Sequence, residues 1–230
     1  MSFDFAAGEV LLVDKPLTWT SFDAVKKIRG AVKIKKVGHA GTLDPLATGL
    51  LIICTGKMTK QIDTFQGQEK EYTGTICLGK TTPSFDLETE VSEESPIDHI
   101  TEEALGEAAK ELTGNLMQVP PLFSAVKIDG KRAYKHARKG DDIELKSRPV
   151  EVKVFEITQV ALPYVSFRIV CSKGTYIRSL ARDFGFALQT GAHLTELRRT
   201  RIGDFTIEQA LPLPELIQQI KEYHENLQNP

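Results

Sequence analysis

Residues Gly38–Leu51 read GHAGTLDPLATGLL. Between a lysine-rich segment and an apolar run, this stretch holds three glycines (Gly38, Gly41, Gly49), a proline at 45 and a single acid, Asp44. Glycine admits positive φ and close backbone approach, and Pro45 fixes φ directly after the acid. Such steric specification marks a loop that holds Asp44 in one place, with His39 five residues before it. Taken alone, Asp44 reads as a turn or helix-capping residue, as most aspartates in Gly/Pro-rich loops do. The phosphate-cradling patterns GxxxxGK(S/T) and GxGxxG are both absent.

Working outward, 230 residues suffice for one large domain or two small ones with a substantial core. A hydrophobic fraction of 41% and a charged fraction of 26% are those of a soluble globular protein. No apolar run approaches a membrane span, and MSFDFAAGEV lacks the regions of a signal peptide. Three cysteines (Cys54, Cys77, Cys171), each in an apolar run, read as reduced core residues of a cytoplasmic protein. The five histidines (39, 99, 136, 193, 224) and the cysteines show no metal-ligand spacing.

The net charge of -2 conceals segregation. Val25–Lys36 carries six Lys/Arg and no acid, and Lys127–Lys139 carries six against one Asp. Arg198, Arg199 and Arg201 form a third cluster, while Asp86–Glu111 holds ten acids against one lysine. Any one run suits a solvated face; together they point to a polarised surface with an RNA-facing basic side.

Local patterns fill in the chain. Glu9–Val13 reads as a buried strand, followed by a helix capped at Thr20 or Ser21 with Phe22, Val25 and Ile28 on one face. Leu50–Cys54 is a central strand or the end of a buried helix. Tyr72–Leu78 alternates as a strand, with Tyr72, Gly74, Ile76 and Leu78 on one face. Asp86 and the acids behind it face solvent. Thr101 caps a helix over Glu102–Leu112, with Gly114 beyond its end. Phe123–Ile128 reads as a strand, Asp129–Gly130 as a turn and Lys131–Lys139 as a short basic helix. Strands over Val150–Val160 and Val165–Cys171 flank a turn at Pro163. Thr175 then caps a helix whose buried stripe is Ile177, Leu180, Phe184 and Leu188, with Tyr176 and Arg178 off that stripe. A last helix over Leu211–Leu227 docks through Leu216, Ile217, Ile220, Tyr223 and Leu227.

Taken whole, GHAGTLDPLATGLL resembles the signature of the tRNA pseudouridine synthase B family, which isomerises the T-loop uridine at position 55 of tRNA. The resemblance runs from about Glu9 to Phe205. KPLTWTS is similar to the family's first motif, in which a Lys-Pro pair braces the active-site loop; Lys15 and Pro16 otherwise read as a strand-ending turn. EKEYTG resembles the motif whose tyrosine, here Tyr72, stacks on the target uracil. TPSFD resembles a TxTxD element, with Thr89 standing where many members place a glycine. MQVPPLFSAVKIDGKRAYKHAR is similar to an RNA-gripping segment, here an insertion at about 118–148. SKGTYIRSLARDFG matches the motif in which the tyrosine (Tyr176) borders the site and the arginine (Arg178) pairs with the catalytic aspartate. HLTELRRTR resembles the motif whose leucine, Leu197, contacts the uracil.

The resemblance implies an α+β pseudouridine synthase fold, a mixed and largely antiparallel sheet flanked by helices with a catalytic cleft. It implies one catalytic domain over 1–230, a C-terminal helix at about 212–227 and no separate C-terminal RNA-binding domain. Asp44, Tyr72 and Arg178 are then catalytic, and His39, Tyr72, Tyr176 and Leu197 contact the flipped uridine. Lys15, Lys127, Lys131, Arg132, Lys135, Arg138, Arg198 and Arg199 bind RNA. No metal and no cofactor is expected, and the partner is the tRNA T stem-loop, met by a monomer. Two other classes compete: a non-catalytic tRNA-binding or folding protein, which needs no buried carboxylate, and an aspartyl-phosphate hydrolase, which needs further carboxylates around a divalent cation.

Overall fold

The run LLIIC, Leu50–Cys54, is a strand buried on both faces, which is why its sequence does not alternate. In the computed structural model, which describes residues 3–124, 127–128, 131–132 and 145–228, it belongs to strand β3, Ala47–Thr55. Leu51 and Ile53 pack with Val13, Val25, Ile28, Leu216 and Ile220, while Leu50, Ile52 and Cys54 pack with Ala40 and Ile202.

The described chain divides into two compact units, one from residues up to Tyr72 plus those from Leu197 onward, the other Thr73–Glu196. In the first, β1 (Val10–Lys15) lies antiparallel to β3, and β2 (Val37–Ala40) also pairs with β3. The chain changes unit within two strands, β4 (Lys70–Leu78) and β12 (Ala192–Ile202). The end of β12 runs parallel to β3 with Leu197 opposite Ala47 and Arg199 opposite Gly49. Two parallel residues, Leu211–Pro212, extend the far edge of β1. The helices Ser21–Val32 and Leu213–Gln228 bury one side of this sheet.

Thr20 caps the first helix through a reciprocal box with Asp23, as expected, but its buried positions are Ser21, Ala24, Val25, Ile28 and Val32. Phe22 is exposed, because the stripe set by Ala24, Ile28 and Val32 leaves position 22 on the opposite side. In the last helix Leu216, Ile217 and Ile220 are buried and Tyr223 packs against them, whereas Leu227 is exposed.

The second unit is built on the strand order β4, β11 (Tyr164–Cys171), β10 (Arg148–Ala161) and β7 (Gly114–Gln118), with β10 antiparallel to both neighbours. The helices Glu102–Glu111 and Ile177–Ala187 contribute Leu105, Ala108, Leu180 and Phe184 to its core, where Phe184 lies 5.2 Å from Phe155. Thr101 caps the former helix onto the Ala104 amide. The expected cap at Thr175 is not made. Tyr176 takes the capping position and the Thr175 hydroxyl donates instead to the Ser172 carbonyl.

Lys131–Arg132 is extended and pairs with Lys127–Ile128, so the expected basic helix does not begin at Lys131. Phe123 and Ser124 are bends rather than strand. The Asp129–Gly130 turn, Lys135, Arg138 and the rest of that helix lie outside the described residues. All three cysteines are buried, and none forms a disulfide with another described residue. Among the described residues no helix is long and apolar enough to cross a membrane.

Candidate active site

Asp44 sits in a loop whose backbone is held at every step. The Gly41 and Thr42 carbonyls accept from Arg199 Nη2 at 3.2 Å and Nη1 at 3.4 Å. The Ser21 hydroxyl donates to the Leu43 carbonyl at 3.2 Å and accepts from the Leu43 amide at 2.8 Å. The Asp44 carbonyl accepts from the Ala47 amide at 3.1 Å, and the Pro45 carbonyl from the Thr18 amide at 2.9 Å. From Gly41 to Pro45 each successive carbonyl therefore has a donor. A solvated surface turn needs none of this; backbone so satisfied resists rearrangement. Asp44 itself is half-buried at the centre of the loop.

Two buried cations stand behind it. Lys15, at the end of β1, is wholly inaccessible, and its ammonium donates to the Pro16 carbonyl at 2.9 Å and the Trp19 carbonyl at 2.6 Å. Burial pulls its pKa down to about 8, the nearby Asp44 carboxylate opposes that fall and Arg199 adds to it. Arg199 is 1% exposed, and its Nε donates to the Leu50 carbonyl at 2.8 Å. Lys15 and Arg199, both expected to contact RNA, are buried, and each donates to backbone carbonyls. The bracing alternative for Lys15 fits its contacts. Neither arginine nor lysine announces burial in the sequence, since both are ordinarily surface residues.

The same unit carries His39 on β2, half-buried, with burial pushing its imidazole below its usual pKa. Tyr72 is nearly buried on β4, and Leu197 is half-buried on β12 two residues before Arg199. Arg198 points to the opposite side of that strand, where both of its Nη atoms clasp the Asp14 carboxylate at 3.0 and 2.7 Å.

The second unit holds the other two predicted residues. Arg178 is buried in the first turn of its helix, donating to the Ser84 carbonyl at 3.1 Å and the Phe123 carbonyl at 2.9 Å. Its Nε lies 3.6 Å from Asp86 Oδ2. Asp86 is thus not solvent-facing as the acidic run suggested; it is 7% exposed and turned inward to the guanidinium. The turn that does this is closed by Thr89, whose hydroxyl accepts from the Ser84 amide at 3.1 Å and lies 2.8 Å from the Ser84 hydroxyl. A side-chain bond so replaces the conformational freedom of a glycine. Tyr176 is fixed from two sides. Gln118 exchanges hydrogen bonds with its amide and carbonyl at 2.8 and 3.1 Å, and the Arg148 guanidinium lies 4.7 Å above its ring. Gln118, Asp86 and Ser21 were missed by sequence reasoning. All three lie in quoted motif strings, Ser21 in KPLTWTS, Asp86 in TPSFD and Gln118 in MQVPPLFSAVKIDGKRAYKHAR, but none was given a part in the site.

Among the described residues no group of three His, Cys, Asp or Glu is placed to hold a metal ion. The charged groups placed around Asp44 are the Lys15 and Arg199 cations. Comparison with known proteins gives the family. Residues 29–177 match the TruB family pseudouridylate synthase N-terminal domain, and residues 178–229 match the tRNA pseudouridylate synthase B C-terminal domain. The chain is 56% identical over 217 residues to the tRNA pseudouridine synthase B of Flavobacterium johnsoniae, covering 91% of this chain and 95% of that one. It is 55% identical to the protein of the same name from Parabacteroides distasonis, covering 93% of each, and 49% identical to that of Thermobifida fusca, covering 91% and 74%. Among solved structures, a Cbf5–Nop10–Gar1 complex matches with a TM-score of 0.76 at 30% identity. That match covers 96% of this chain, which spans only 57% of the solved one. The chain belongs to the TruB family of pseudouridylate synthases.

Proposed function

We infer that this chain is a tRNA pseudouridine synthase that converts the T-loop uridine at position 55 of tRNA to pseudouridine, acting as a monomer in the cytoplasm. The observation that carries the reading is the Asp44 loop, a carboxylate on the fourth of five consecutive residues whose carbonyls are all bonded, in a chain of this family.

The reaction breaks the N1–C1′ bond, turns the uracil over and forms the C5–C1′ bond; the proton lost from C5 is balanced by one gained at N1. No atom is added or removed overall. Asp44 supplies the carboxylate, as nucleophile or base. The target lies in a folded loop and must be flipped out, which costs on the order of a few kcal/mol. Tyr72 and Leu197 receive the ring, with Tyr176 at its border; base–aromatic stacking returns roughly 1–3 kcal/mol. His39, kept neutral by burial, braces the vacated space without adding charge. Arg178 completes the catalytic set. Phosphate contacts from Lys127, Lys131, Arg132, Lys135 and Arg138 position the RNA without reading its sequence.

The test is incubation with an unmodified tRNA transcript, carbodiimide labelling and primer extension. A new stop at position 55 is expected. Tight binding without any new stop would instead make the chain a non-catalytic tRNA-binding protein.

A further inference from the structure

We propose that Arg199 is a positioning residue for the isomerisation, a buried clamp that fixes the Asp44 loop against the strand carrying Leu197. The proposal rests on the reading of Asp44 as the catalytic carboxylate.

Arg199 stands opposite Gly49 on parallel strands, and a Cβ at Gly49 would meet the Arg199 carbonyl oxygen at 2.3 Å. The two backbones are therefore at their closest approach where the side chain leaves the strand. From there the guanidinium reaches forward: Nε takes the Leu50 carbonyl, within β3, while Nη1 and Nη2 take Thr42 and Gly41 in the loop. One planar group thus spans the rigid strand and the loop, and it does so from the strand on which Leu197 lies two residues away.

Filling the core does not explain this residue. A buried cation carries a desolvation penalty that an apolar side chain of similar volume avoids, so buried charges commonly add little to stability. What the guanidinium adds is geometry. Its donors form a fixed fork, whereas a lysine offers one freely rotating ammonium that cannot serve three carbonyls at these positions. Gly41 and Thr42 lie outside the sheet ladder, so their carbonyls depend on this fork. Misplacing a reacting group by about 1 Å can cost on the order of a hundredfold in rate.

The experiment compares Arg199→Lys, Gly41→Ala and their combination with wild type, measuring kcat and KM on tRNA transcript and thermal unfolding for each. Gly41→Ala perturbs the same contact from the loop side, placing a methyl 3.6 Å from Nη1 at a φ of +89°. Ile220→Val, buried on the C-terminal helix and outside the cluster that holds Leu50 and Ala40, serves as the control for loss of stability alone. Arg199→Lys should lower kcat by roughly ten- to a hundredfold with KM within about twofold. The double variant should fall little below the worse single one, because both act through one contact. Ile220→Val should keep kcat. The proposal is overturned if folded Arg199→Lys keeps kcat within threefold, or if the two effects multiply. Should Arg199→Lys not be recovered folded, Gly41→Ala decides: an unchanged kcat overturns the clamp. A wild-type protein that makes no pseudouridine would instead remove the functional reading itself.

Discussion

Arg178 and Asp86 form a buried ion pair, Nε to Oδ2 at 3.6 Å, in which the acid is supplied by a segment that reads as solvated. The guanidinium also donates to the carbonyls of Ser84 and Phe123. Asp86 therefore orients Arg178 as well as balancing its charge. Asp86→Asn keeps the shape and removes the charge. It should lower kcat at least tenfold and lower the melting temperature, because the buried carboxylate that faces the guanidinium becomes a neutral amide. A variant that melts and turns over like wild type would reduce the pair to a packing detail.

Asp44→Asn separates chemistry from binding. None of the five carbonyl bonds of the loop uses the Asp44 side chain, so the amide variant should keep the loop intact. Turnover should be abolished while tRNA affinity stays within a few-fold of wild type, as read by filter binding. Activity within tenfold of wild type would take Asp44 out of the catalytic role.

Lys15 should leave a signature in the pH dependence of stability. Its folded pKa of about 8 lies below the ordinary value of 10.5. Between these values the unfolded chain holds a proton that the folded chain has released, so raising the pH favours the fold. Below pH 8 both states are charged and the folded state bears the full desolvation penalty. Wild type should thus gain stability relative to Lys15→Met on going from pH 7 to 10.5, by at most about 3 kcal/mol. Other groups titrate in that range, and the difference between the two melting profiles isolates Lys15. Parallel profiles would mean that its ammonium is not buried as described.

The elements were legible where local chemistry and tertiary packing agree. Thr20 and Thr101 cap their helices because an N-terminal hydroxyl needs only local backbone, and Ile177, Leu180, Phe184 and Leu188 are buried as their spacing predicts. The motif strings pointed to Asp44, Tyr72 and Leu197, but not to what holds them. Asp86 reads as solvent-facing and Lys15 and Arg199 as RNA contacts, because charge is the strongest local sign of a surface. Arg199 and Asp86 are buried for a reason that only long-range contacts supply, loop carbonyls without ladder partners and a cation from a distant helix, whereas the carbonyls that hold Lys15 lie one and four residues away. Thr175 shows the converse, a good capping residue whose hydroxyl finds Ser172 first.

These corrections alter how the basic clusters should respond to salt. Each phosphate neutralised by a free cation contributes roughly 0.7 to 0.9 to the log–log slope of affinity against salt, through release of counterions. Arg199 is buried and Arg198 is clasped by Asp14, with its guanidinium already balanced by a carboxylate at 2.7 Å. Arg198→Gln should therefore change the slope by less than one phosphate's worth. Lys131, Arg132 and Lys135, in a run that carries six basic residues against one acid, have no such sequence-local balance. Neutralising all three should flatten the slope by about 2 and weaken binding, with little effect on kcat at saturating tRNA. The measurement is tRNA affinity from 50 to 300 mM salt, on the order of the range where such slopes are resolved. A triple variant with the wild-type slope would move the RNA contacts to another surface, Val25–Lys36 being the next candidate.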